Sequence, residues 1–136
     1  MSETNKAITE RWLNEIWNKG DMSALPQLVS EDFVFHGFGG DVRGHEGLKE
    51  RMAFLGEAFP DGRLTNDETI AKGDKVVYRF TFEGTHKAEF FGVTATGKRV
   101  AFEGITILRI AGGKVAEHWG CFDLTGVLQQ FGKAFP

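Results

Sequence analysis

Four histidines, one cysteine and scattered carboxylates are the groups through which this chain can do chemistry. His118 stands in Glu117-His118-Trp119-Gly120-Cys121-Phe122-Asp123, an apolar run near the C-terminal end. An imidazole titrates at about 6.5, so it can hold or release a proton near neutral pH. His36 closes a short apolar run, and Gly37, Gly39 and Gly40 after it leave it accessible. His86 follows Gly84-Thr85 at a strand end. These three are the candidate acid/base groups. Each also has a plainer reading: a ring satisfied by a backbone carbonyl at 118, loop surface at 36, and a hydrogen bond that holds a loop at 86. His45 opens a helix and is read as solvent-facing.

The remaining polar groups read mainly as structure. Asp123 has the opposite strand parity to His118 and directly precedes a helix, the position of an N-cap worth ~1 kcal/mol. Arg109 and Glu117 fall on adjacent strands of one hairpin and can pair across it. Glu103 has the opposite parity to Gly104 and Thr106, which puts it away from a pocket or at a subunit contact. Gly92 to Lys98 fits the opening of a phosphate-binding loop, yet Arg99 stands where a hydroxyl residue is required and a strand follows instead of a helix. Glu83, His86 and Glu89 lack the helical spacing that makes three donors converge, so no metal site is read here. Neither a Ser-His-Asp nor a Cys-His arrangement is legible.

The elements that must position these groups follow from periodicity. Ile8, Trp12, Leu13, Ile16 and Trp17 make one apolar face of a helix capped by Thr4, running to about Asn18 and stopped by Gly20-Asp21. A short helix from Ser23 to Val29 carries Pro26 in its first turn. Phe33 to His36 is a brief strand, and Gly44 to Phe59 a third helix with Leu48, Met52, Leu55 and Phe59 on one side. From Asp61 onward the period becomes alternating, with strands at 61–71, 75–83 and 98–110, and a strand or loop at 89–93. Gly112-Gly113 is a hairpin turn into the strand 114–122, and a last helix runs to Gln130. Helices followed by a meander of long antiparallel strands indicate an α+β domain. Both parities of those strands are apolar, Phe102 and Leu108 against Ile105 and Ile107, so both sheet faces need cover. A second subunit is the simplest cover for the outer one.

Composition sets limits. At 136 residues there is room for one core, so residues 1–136 form a single domain. Thirteen phenylalanines against one tyrosine imply a large, dry interior poor in hydroxyl donors. A net charge of −3 with scattered Lys and Arg leaves no footprint for nucleic acid. Cys121 is alone, so no internal disulfide can form. The first residues lack a signal-peptide core and no segment reaches membrane-spanning length, which makes the cytoplasm the expected compartment.

Glu83-Gly84-Thr85-His86, Phe90-Phe91-Gly92, Ala95-Thr96-Gly97-Lys98, Gly113-Lys114-Val115-Ala116-Glu117-His118-Trp119 and Leu128-Gln129-Gln130-Phe131-Gly132 together resemble the SnoaL-like polyketide cyclase family. That family belongs to the nuclear-transport-factor-two-like superfamily, and the resemblance covers nearly the whole chain. It implies a cone-shaped α+β barrel: a curved antiparallel sheet wrapped around N-terminal helices, with a deep apolar pocket and a sheet-to-sheet homodimer. In the cyclases an ester-bearing polyketide closes a ring by aldol condensation, with neither metal nor organic cofactor, after an aspartate abstracts a proton. Here the aspartate's position is Gly120, while Gly104 and Thr106 stand for the flanking polar side chains and His118 alone matches. The missing side chains imply a roomier pocket or another side chain swung in.

The resemblance points the parity of His118 toward the pocket. The candidate ligand contacts are then Trp12, Trp17, Phe54, Phe102, Gly104, Thr106, Gly120 and Phe122, and the ligand a small hydrophobic carbonyl or polyketide-like compound. His118, with His36 or His86 assisting, is the expected acid/base group. A non-catalytic binder of an apolar ligand is the alternative that Gly104 and Gly120 favour. A ketosteroid-isomerase-like activity is a further one, weakened by His36 where that reaction uses a carboxylate.

Overall fold

The computed structural model describes residues 2–37 and 40–132, so Gly39, read above as part of a strand break, lies outside the described residues. Helix α1 (Ser2–Arg11) continues without a break into a π-helical segment (Trp12–Asn18). Because the helix already begins at Ser2, Thr4 lies inside its first turn and does not cap it. Gly20, at φ +64°, ends the segment as expected. A 3-10 turn (Met22–Ala24) and a one-turn helix α2 (Leu25–Leu28) follow, with Pro26 at its start.

Strand β1 (Val29–His36) begins four residues earlier than the sequence suggests, because Val29 already pairs with Val115. The two-residue strand β2 (Val42–Arg43) has no pattern long enough to read in the sequence. Helix α3 (Gly44–Ala58) comes next, and then β3 (Arg63–Lys72), β4 (Lys75–Thr85), β5 (Arg99–Ala111), β6 (Lys114–Phe122) and helix α4 (Leu124–Gln130). Residues 89–93 form a tight turn with a single bridge, Phe90 to Val93, in place of a strand.

The six strands form one curved open sheet in the order β2-β1-β6-β5-β4-β3. Every pair is antiparallel except β1 with β6, which run parallel; the sheet is therefore mixed at this one seam. Alternation sorts each strand into two faces. Val76, Tyr78, Phe80 and Phe82 of β4, and Val100, Phe102, Thr106 and Leu108 of β5, are buried against the helices. Ile105 and Ile107 of β5 and Ile70 of β3 point outward, 51%, 37% and 59% exposed.

Two devices fix the site. A bulge in β6 opposite Arg109 and Ile110 makes Ala116 an extra residue, so Val115 and His118 both turn inward while Glu117 turns out. Bulges re-aim side chains in this way, and without this one His118 would face solvent. The π segment is held to β3 by Asn18, whose carboxamide accepts from Leu64 N (2.7 Å) and donates to Leu64 O (2.9 Å). Trp12, Leu13 and Ile16 of that segment are buried to 4% exposure or less. Each such side chain contributes about 1.5–3 kcal/mol by leaving water.

Candidate functional site

Between the inner face of the sheet and the helices lies a cavity of about 80 Å³, measured as the space open to the centres of water-sized molecules. Trp17 of the π segment forms one wall, and Arg51, Phe54 and Leu55 of α3 another. Phe35 contributes from β1 and Gly37 from just beyond its end, Phe80 and Phe82 from β4, and Phe102 and Thr106 from β5. His118, Gly120, Cys121 and Phe122 contribute from β6, and Phe90 and Phe91 stand on the turn beside them. Phe54 stacks on Phe90 with centroids 5.6 Å apart, and Phe91 meets both rings edge-on, so the mouth is aromatic.

His118 is 2% exposed and lies flat against Phe35, ring centroids 4.0 Å apart and 11° from parallel. Trp17 stacks 6.3 Å from it. Neither nitrogen of His118 has a hydrogen-bond partner, nor has Nε1 of Trp17. Burial pushes the His118 imidazole down to about 3, with the charges of His36 and Arg51 acting in the same direction. At neutral pH it is therefore uncharged and offers one donor and one acceptor. An unpaired buried polar group costs about 1–3 kcal/mol, so three of them on one wall favour any molecule that supplies their partners.

The glycines explain how His118 comes to lie there. A Cβ built on Gly120 would sit 2.6 Å from Cε1 of His118, so the imidazole occupies the space over position 120. A Cβ on Gly104 would meet Phe80 Cζ at 2.3 Å and the backbone oxygen of Cys121 at 2.6 Å. Of the two expectations for these glycines, the side chain swung in is the one the structure adopts at both, with Phe80 in place of open volume at 104. Gly104 accordingly lies behind Phe80 and is absent from the lining.

Trp12 also stands one layer behind the wall. It is fully buried, its Nε1 donates to the Tyr78 hydroxyl (3.1 Å), and its ring backs His118 at 6.0 Å. Tyr78, whose hydroxyl also pairs with the lining residue Thr106 and is pushed up by burial, is a supporting residue missed in the sequence. Its inward parity in β4 was the available signal.

The other two candidate bases face elsewhere. His36 projects from the outer face of β1, with Nε2 2.7 Å from Glu117 and Nδ1 3.0 Å from Asp41, and stacks on Trp119 at 5.4 Å. Phe35 takes the inward position because side chains alternate along the strand. Hydrogen bonding to Glu117 raises His36, and the same bond lowers Glu117, which also accepts from Arg109 at 3.0 Å. His86 is fully buried but outside the cavity lining. Its Nδ1 accepts from Thr96 N (3.2 Å) and its ring lies on Phe131 at 3.9 Å, so it braces the 86–98 loop. His45, read as solvent-facing, is half-buried and donates from Nε2 to Val29 O (2.8 Å), tying α3 to β1. Glu103 is exposed beside Arg79, and Asp123 caps α4 by accepting from Gly126 N (2.9 Å).

The structure thus brings His118, Trp17, Phe54, Phe102, Thr106, Gly120 and Phe122 together and leaves His36, His86, Trp12 and Gly104 out. Among the lining residues missed in the sequence, Arg51 lies three and four residues before Phe54 and Leu55, the helical spacing that would have disclosed it.

An aromatic cavity between a curved mixed sheet and a helical roof, with one neutral imidazole in its wall, is the candidate site of this cone-shaped α+β fold. The SnoaL-like polyketide cyclase family model matches residues 7–131, and the chain belongs to that family. It is 26% identical over 130 residues to the aklanonic acid methyl ester cyclase DnrD of Streptomyces peucetius, covering 93% of this chain and 90% of that one. Among solved structures it is similar to TsrD from Streptomyces laurentii, with a TM-score of 0.86, 29% identity and 97% of each chain covered. It is also similar to AclR from Streptomyces galilaeus, a hydroxylase candidate, with a TM-score of 0.84, 31% identity, and 98% of this chain and 84% of that one covered.

Proposed function

We propose that the cavity takes a largely apolar, polyketide-type carbonyl compound and that His118 moves a proton on it, in a ring-closing reaction of the aldol kind that uses no cofactor. The observation that carries this reading is the wall shared by His118 and Trp17, where three polar nitrogens lack partners inside an aromatic chamber. Family membership and the methyl ester cyclase DnrD among the relatives support the reaction class.

In this reading a carbonyl oxygen accepts from Trp17 Nε1–H. The lone pair of His118 takes a proton from the adjacent carbon, leaving an enolate beside an imidazolium. The enolate carbon attacks a second carbonyl of the same molecule, a carbon–carbon bond forms, and the resulting alkoxide recovers the proton from His118. An isolated imidazolium is disfavoured by burial in this site. One formed next to an enolate in a water-poor chamber is stabilised by the attraction between them. Proton transfer is therefore coupled to the presence of substrate.

Exchange of the α-hydrogens of an aryl methyl ketone ester in heavy water, followed by NMR, tests this. Wild-type protein is expected to accelerate exchange, and His118→Gln to lose at least 100-fold of the acceleration while still binding the probe. Binding without exchange in the wild type would favour the second reading, a non-catalytic binder. That reading draws support from the lining itself, which contains no carboxylate among the described residues, and from Gly120 in the place of the family's aspartate. The proposal extends to a second copy of this chain covering the outward isoleucines 70, 105 and 107, and to the cytoplasm as its compartment.

A further inference from the structure

We propose that Phe91 is a specificity-determining residue: its ring, carried on a strained turn, narrows the mouth of the cavity so that flat ketones are favoured over globular ones of equal carbon count. This rests on the cavity being the ligand site, and it adds a rule of shape to that reading. Phe90 and Val93 exchange both backbone hydrogen bonds, Phe90 N to Val93 O at 3.0 Å and Val93 N to Phe90 O at 3.1 Å. Between them Phe91 stands at φ +48° and Gly92 at φ +82°, the pair of positive angles that a type I′ hairpin turn requires. Such a turn selects Gly, Asn or Asp at its first central position, because glycine has no Cβ to clash and a short polar side chain bonds locally. A benzyl side chain does neither. Among the described residues Phe91 is the one non-glycine with positive φ, so the surrounding structure holds it in an unfavourable conformation.

What the strain supports is the placement of one ring. Phe90 and Val93 are buried and anchor the turn, which leaves Phe91 at its tip. The Phe91 ring meets Phe90 at 4.7 Å and 88°, Phe54 at 6.1 Å and 89°, and Phe122 at 6.2 Å and 50°. All four rings line the cavity. Phe91 and Phe54 are 36% and 37% exposed, so this pair stands where the cavity meets solvent. The ring acts by filling space, and each contact with a neighbour firms the constriction. A flat group can pass crossed rings by stacking on one and meeting the edge of another. A caged hydrocarbon has no thin edge to offer.

The test uses 2-acetylnaphthalene and 1-acetyladamantane, two methyl ketones of equal carbon count, with binding followed by calorimetry. Wild-type protein is expected to bind the naphthyl ketone about tenfold more tightly, the scale on which a pocket rejects a poorly fitting apolar group. Phe91→Asn and Phe91→Ala should each bind the adamantyl ketone about tenfold better than wild type does, which closes the gap. Thermal unfolding reads the strain separately. Both variants lack the ring and only Asn tolerates the positive φ, so the Asn variant should melt roughly 3 °C above the Ala variant. Equal affinities in the wild type, a preference that survives in both variants, or an Asn variant no more stable than the Ala variant would overturn the role of Phe91 alone. Failure of both ketones to bind any of the three proteins would overturn the cavity reading and this role with it.

Discussion

Two glycines decide what the site can be, and they should fail differently when filled. A methyl at 104 presses on a ring and on the backbone oxygen of Cys121, and the backbone oxygen cannot turn aside. Gly104→Ala is expected to cost about 1–3 kcal/mol in urea unfolding. A methyl at 120 presses only on the His118 ring, which can rotate. Gly120→Ala is therefore expected to cost less stability than Gly104→Ala but to remove α-hydrogen exchange in the heavy-water assay. Two histidines should likewise shape the pH profile from opposite sides. His118 is lowered to about 3 by burial, so the unfolded chain takes up its proton first, and stability falls as pH drops below about 6.5. His36 is raised by Glu117 and then Asp41, so its contribution is complete below about 6.5 and is lost as pH rises through the raised value. Glu117, lowered by His36 and Arg109, adds a loss at more acidic pH still. Unfolding free energy measured against pH should peak near 6.5, with His118→Gln flattening the acid limb and His36→Gln the alkaline one.

At the level of elements, what could be read from the sequence depended on how long a pattern ran. β4 and β5 alternate over eleven and thirteen residues, and their inward faces were legible. β2 has two residues and left no trace, and β1 was read short because its first half is polar on the outside. The inward turn of His118 follows from the family resemblance and from one extra residue at Ala116, while alternation counted from Val115 puts Glu117 inside. His36 was misplaced for the opposite reason: the glycines after it suggested access, and strand parity with Phe35 inside sends it outward. Asp123, by contrast, needed only its neighbours. Asp123→Ala is expected to cost about 1 kcal/mol in chemical denaturation without altering ligand affinity, because the cap faces away from the cavity.

For the whole molecule, the open outer face of the sheet carries the next test. Ile105 and Ile107 are outward neighbours on β5, Ile70 lies level with Ile107 across β4, and the Arg79 cluster with Asp67, Glu68 and Glu103 puts charge beside Ile105. If a second copy covers this face, Ile105→Glu should shift the sedimentation coefficient from dimer to monomer and lower the thermal midpoint. An unchanged coefficient would mean that the face is left to solvent. The π winding of residues 12–18 bears on the molecule as a whole in another way. Five residues along an α-helix turn a side chain roughly 140° away from its starting direction, whereas here Trp12 and Trp17 stay 6.5 Å apart on the same side. Rewinding this stretch as an α-helix with all its residues kept would carry the indole of Trp17 off the ceiling of the chamber, whereas dropping one residue between the two tryptophans would leave it in place. The winding of that stretch, as much as its residues, then sets how far the indole reaches over a guest.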